Sequence, residues 1–153
     1  MINISIQNNQ VNMPITVDEL ITFSNELFIQ LNIDQNNTDL TIVLGDDGLL
    51  TELNSRFRGI DTPTDVLSFP ADEIDPETGH KYIGDVIVSL ERVNEQSVSA
   101  GHPIESELKL LIIHGILHLL GHDHQNEDDK NEMWRLQNML LLAHNVNLKK
   151  HPD

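Results

Sequence analysis

Four of the chain's eight histidines fall within eleven residues, as His114-Gly115-Ile116-Leu117-His118-Leu119-Leu120-Gly121-His122-Asp123-His124. Neutral imidazole is the commonest protein ligand of transition metals. His114 and His118 stand four apart, so on a helix they share one face, one turn from each other. Both can then reach a single ion at about 2.0–2.1 Å. Gly121 suits the residue just past a helix end, and the chain that it turns back brings His124 within reach as a third ligand. Three imidazoles with a fourth position open is the pattern of a catalytic zinc site. A histidine pair at this spacing is commonplace, but chance placement in this composition gives only roughly 0.02 such triples. The flanking runs Leu110 to Ile113 and Leu117 to Leu120 mark a buried helix, where an imidazole needs a reason to be present. Gly115 in its interior costs about 1 kcal/mol relative to alanine, which implies that space is required beside His114.

The same spacing, with Gly121 between the second and third histidines, matches the metzincin metalloproteases. Those enzymes carry Glu directly after the first histidine as general base. Here that position is Gly115, which has no side chain to take a proton, so a protease reading is demoted.

The elements that must hold these residues follow from periodicity. Ile2, Ile4 and Ile6 alternate with polar residues, as do Leu40, Ile42 and Leu44, which suits half-buried strands. Val66 to Phe69, ended by Pro70, and Tyr82 to Leu90 are two more. The acidic, turn-rich stretch from Ala71 to Lys81 reads as an exposed hairpin or excursion. Helices are expected from Thr16 through Leu31, around Leu49 to Phe57, over Glu91 to Ala100, from Pro103 at a first helical position to Leu120, and over Glu127 to Ala143. In the last, Met133, Trp134, Leu136, Met139, Leu140 and Ala143 form the apolar stripe. Arg58 to Thr64 reads as a loop. About four strands and about five helices make an α+β domain, with a sheet on one side and helices covering it.

A chain of 153 residues with 39% apolar content is one domain, spanning 1–153, with enough core to fold unaided. Zero cysteines exclude a disulfide scaffold, a thiolate metal site and a cysteine nucleophile. The net charge of −16 argues for solubility and against a broad basic face that grips nucleic acid by itself. No apolar run approaches the roughly 20 residues of a membrane span, and the N-terminus has no basic, cleavable leader. A soluble, cytoplasmic protein is the expectation.

Beyond the histidine segment, two further stretches carry a resemblance. One runs from Leu53-Asn54 through Phe57-Arg58 to Thr64-Asp65-Val66-Leu67-Ser68-Phe69-Pro70, and the other is Ile83-Gly84-Asp85-Val86. With residues 114–124, and in this order, they resemble the YbeY-type endoribonucleases, bacterial rRNA maturation factors, over essentially the whole domain. One position departs: His122 stands where that family usually has Tyr, and by position His124 is the ligand and His122 its neighbour. The resemblance implies a mixed sheet with the metal at the helix end. It also implies a single-strand-specific, metal-dependent endoribonuclease acting in rRNA 3′-end processing and ribosome quality control. Its implied partners are single-stranded RNA and the small ribosomal subunit with its proteins, with no DNA or membrane. The family's important arginine maps onto Arg58.

The chemistry fits those residues. Zinc can polarise a phosphate oxygen or bind a water whose pKa falls to about 7. A guanidinium adds two-pronged hydrogen bonding to phosphate, and Arg58, in a loop with no helix or strand demand to explain it, is the candidate beside His114. Its bland alternative is a solvated charge paired with Asp61 or Asp65. Asp123 or Asp85 could serve as general base, with second-shell duty the better expectation for Asp123. Arg56 could add to a local positive groove, and Phe69 or Tyr82 could stack bases, although aromatics near strands more often belong to the core. His80, His102, His144 and His151 are expected at the surface. The rival functions are a non-catalytic, metal-stabilised ribosome-assembly factor and a zinc hydrolase of another class. The open position of a three-histidine set argues against the first.

Overall fold

The computed structural model describes residues 1–7, 13–122, 126–146 and 148. Nine elements follow one another: β1 (Ile2–Ile6), α1 (Val17–Gln30), β2 (Thr38–Gly45), α2 (Asp47–Arg58), β3 (Val66–Ile74), β4 (Lys81–Ser89), α3 (Leu90–Ala100), α4 (Ile104–Leu119) and α5 (Glu127–Ala143). The sheet order is β1-β2-β4-β3. β1, β2 and β4 run parallel, and β3 returns antiparallel on β4, so the sheet is mixed. The α+β reading with four strands and five helices holds among the described residues.

Local chemistry sets the boundaries. Thr16 caps α1 in a reciprocal box with Glu19, which satisfies two backbone donors that the helix leaves open. Pro103 stands one residue earlier than expected, as the N-cap of α4 rather than its first helical residue. β3 also runs past Pro70, where sequence alone ends it. It pairs only with β4 and forms the sheet edge, where a residue without an N–H is tolerated; a register shift between Pro70 and Glu73 absorbs the irregularity. The turn is therefore confined to residues between Ile74 and Lys81, closed by Gly79 N–H on the Asp75 carbonyl at 2.8 Å.

The two faces of the sheet are covered unequally. Leu40, Ile42 and Leu44 of β2 and Val86 and Val88 of β4 are fully buried in one cluster with α1, α4 and α5. On the other face α2 covers one end, with Leu50 packed on Leu67 and Ile87. The sheet is thus sandwiched there instead of lying wholly on one side. α4 is apolar nearly all round because it is enclosed; ten of its residues are buried. In α5 the buried face is Met133, Gln137, Leu140 and Leu141, whereas Trp134 and Met139 are exposed. The expected stripe is rotated, and a glutamine takes a core position. No described helix is long and apolar enough to cross a membrane.

Candidate functional site

The last two turns of α4 bring His114 and His118 together. Their Nε2 atoms are 3.0 Å apart, with ring centroids at 4.6 Å and planes at 72°. Both rings are half-buried. His114 Nδ1–H donates to Gln137 Oε1 at 3.2 Å. Gln137 is 3% exposed, and its carbonyl can only accept, so this bond places the ring proton on Nδ1 and leaves a lone pair on Nε2, facing His118. Nothing in the sequence reading singled out Gln137. Its signal is there in retrospect: it lies four residues after Met133 and three before Leu140, a polar side chain on a buried helical stripe.

The close approach of α4 to the sheet depends on Gly115. A Cβ there would stand 2.6 Å from Val86 Cγ1 and 3.3 Å from Ser68 Oγ, and the Ser68 hydroxyl donates to the Gly115 carbonyl at 3.0 Å. The space demanded at this position is therefore toward β4 and β3, not beside His114. The same contact leaves no room for the glutamate of a metzincin. After α4 the chain turns on Gly121, at φ +92°. Its N–H bonds to the His118 carbonyl and that of His122 to Leu117, both at 3.0 Å. This is a Schellman closure, and it ends α4 just beyond the two rings.

His114 and His118 open onto a cleft of about 730 Å³ along the β3 edge, lined also by Phe57, Arg58 and residues Thr64 to Pro70. Arg58 is not a loop residue: it ends α2, where the negative helix end favours a cation. Beyond it, buried Asn54 donates through Nδ2 to the Thr62 carbonyl at 2.9 Å, tying the following loop to α2. Asp65 is engaged elsewhere, by the Val66 N–H at 2.8 Å and Gln96 Nε2 at 3.3 Å. Among the described residues Arg58 has no ion pair, whereas Arg56, outside the cleft lining, pairs with Glu52 at 3.3 Å.

The expected site residues divide three ways. His114, His118 and Arg58 meet in one cleft. Asp85 does not: it lies opposite Val86's face, where it accepts from the Tyr82 hydroxyl, whose oxygen also shares a hydrogen bond with the Thr41 hydroxyl at 2.8 Å. Burial and this carboxylate hold the Tyr82 phenol above its usual range, so Tyr82 is a tied sheet residue and not a free stacking surface. His124 and Asp123, the third-ligand and second-shell expectations, lie outside the described residues, as does His151. Among the described residues no group of three or more His, Asp and Glu donors gathers.

The histidines expected at the surface are mostly not there. His102 is 6% exposed and bonds through Nε2 to Glu107 Oε2 at 2.5 Å. His144 packs edge-on against Phe23 and bonds to Gln30 Oε1 at 2.8 Å; burial lowers its pKa. His80 is half-buried beside Asp39.

The donor set suits a divalent transition metal. Two imidazole nitrogens converge, one with its tautomer fixed, at the C-terminal end of a helix whose dipole favours positive charge.

The family model for endoribonuclease YbeY matches residues 3–145. An endoribonuclease YbeY of Rhodococcus jostii is 36% identical over 141 residues, covering 88% of this chain and 78% of the relative. That of Persephonella marina is 46% identical over 112 residues, 72% of each chain. The solution structure of TM1509 from Thermotoga maritima superposes with a TM-score of 0.60 at 26% identity, covering 100% of this chain and 97% of that one.

Proposed function

The chain belongs to the endoribonuclease YbeY family, and from that premise we propose that it is a zinc-dependent, single-strand-specific endoribonuclease acting in rRNA 3′-end maturation and ribosome quality control. The observation that carries the reading is one cleft lined by both a converging imidazole pair and a guanidinium without an ion pair among the described residues. A phosphodiester is an anion whose charge rises toward the transition state, and this lining supplies groups complementary to it.

His114, His118 and His124 are the residues that would hold the ion. A zinc ion so held supplies Lewis-acid polarisation and acidified water. The chain's own residues do the rest. Gln137 keeps the His114 proton on Nδ1, so that Nε2 is available as a donor. The Ser68–Gly115 bond fixes α4 against the strand that floors the cleft. Arg58, carried by a helix end and backed by the loop that Asn54 ties down, is placed to grip a phosphate and stabilise its developing charge. The substrate's own 2′-hydroxyl is close at hand as a nucleophile in RNA, so no side-chain nucleophile is needed.

The charge of −16 opposes long-range attraction of RNA. Intrinsic binding is then weak, and delivery by the small ribosomal subunit and its proteins, in the cytoplasm, resolves that conflict. The test pairs elemental analysis with cleavage of a labelled single-stranded RNA on one preparation. Bound zinc, cleavage abolished by chelation and restored by zinc, and loss in Arg58→Glu are expected. Cleavage unchanged in both chelated protein and Arg58→Glu would assign the activity to a contaminant and leave a metal-stabilised assembly factor as the reading.

A further inference from the structure

Phe57 is the residue that neither the core nor the proposed chemistry uses. It continues the helical spacing of buried Leu50 and Asn54, yet α2 overshoots the covered end of the sheet and Phe57 is 60% exposed. Its ring meets the half-buried Phe69 edge-on, with centroids 5.2 Å apart and planes at 62°. Both rings line the same cleft as Arg58, His114 and His118. Arg56 approaches the Phe57 ring at 6.0 Å, the outer limit of a cation–π contact, so it leaves the ring accessible.

We infer that the Phe57–Phe69 pair is a stacking platform for one unpaired nucleobase, seated next to the phosphate that Arg58 engages. The inference rests on the ribonuclease reading and deepens it. Charge supplies the second argument. Among the described lining residues Arg58 is the one permanent cation, and Asp65 offsets it. For single strands, log affinity falls against log salt with a slope of only about −0.7 for each phosphate neutralised, so a cleft with one cationic side chain beside the ion gains little from phosphates away from it. Stacking on an aromatic face needs no net charge and tolerates any base. It also discriminates by pairing state, because a base inside a duplex has both faces covered by its neighbours. Phe69 backs the platform: it is held by β3 and α2, so the edge-on contact restrains the Phe57 ring before RNA arrives.

The test uses the full chain with a fluorescein-labelled single-stranded RNA and the matching duplex. Phe57→Ala is expected to raise KM for the single strand about tenfold with kcat within about twofold, the loss of one stacked base, and to leave duplex binding unchanged. Phe57→Trp, made with Trp134→Phe so that a single indole remains, should keep the wild-type KM, and its emission should be quenched by the single strand but not by the duplex. Binding of the single strand should weaken by only about fivefold or less from 50 to 200 mM salt. Wild-type cutting with an unchanged KM in Phe57→Ala, or an indole indifferent to RNA, overturns the platform and leaves the ribonuclease reading standing. Absence of cutting by the zinc-loaded wild type, with no indole response, overturns both.

Discussion

The two ends of α4 each hold histidine, and they hold it in opposite ways. At the start, His102 and Glu107 are sealed from solvent at 6% and 4% exposure and bond to each other through His102 Nε2 at 2.5 Å, with His102 Nδ1 buried without a partner among the described residues. Glu107 also sits in the first turn, where the helix dipole favours an anion. At the far end, His114 and His118 turn their Nε2 atoms toward each other at 3.0 Å and open onto a cleft. Among the described residues no carboxylate completes a donor cluster there, and the helix end favours a cation. A histidine closed on a carboxylate is a structural part. Two histidines facing each other at a negative helix end are the pair that we propose holds an ion.

The sharpest way to break that contrast is to exchange the roles by mutation. His114→Ala should remove bound zinc and lower RNA cleavage about 10³-fold, the loss of several kcal/mol of charge stabilisation, while thermal unfolding of the metal-free protein shifts little. His102→Leu should do the reverse. It leaves Glu107 buried without its partner, at a cost of about 3 kcal/mol, read as a lower midpoint in urea with cleavage per folded molecule preserved. If His102→Leu abolished cleavage in folded protein, the two ends would not be functionally distinct.

Smaller effects sharpen the picture. Gln137→Leu should weaken zinc binding about 10- to 100-fold, as removal of a ligand's hydrogen-bond partner does, measured by competition with a chromophoric chelator. Unaltered affinity would mean that Gln137 merely fills space. The mildest effect belongs to His144, a histidine outside α4. Burial lowers its folded pKa below 6.5, so the unfolded chain takes up the proton first as pH falls. Its contribution is present above about pH 6.5 and is lost progressively below it. His144→Gln should flatten the stability profile just below pH 6.5 in denaturant titrations, and an unchanged slope would contradict the shift.

Much of this was legible residue by residue. The Thr16–Glu19 box, the glycine after α4 and the acidic start of α5 are local signals, and each lies where the spacing places it. The errors share a cause. Pro70 ends a strand only if that strand has two neighbours, and β3 has one. Trp134 and Met139 form a stripe only if α5 presents that side to the core. His102 is a surface residue only if Glu107 is not folded over it. Each depends on an element distant in sequence.

The spacing of His114 and His118, their seat on an apolar helix, the absence of a proton acceptor at position 115 and the charge of −16 were determined by the sequence itself, because helical periodicity and composition are properties of neighbouring residues. Packing alone decided that Gln137 meets His114, that Val86 occupies the space beside Gly115, that Arg58 and the imidazoles line one cleft and that Phe57 stands in solvent beside it. These are contacts between segments tens of residues apart, and the chain order does not encode which side of one element faces another until the core has closed.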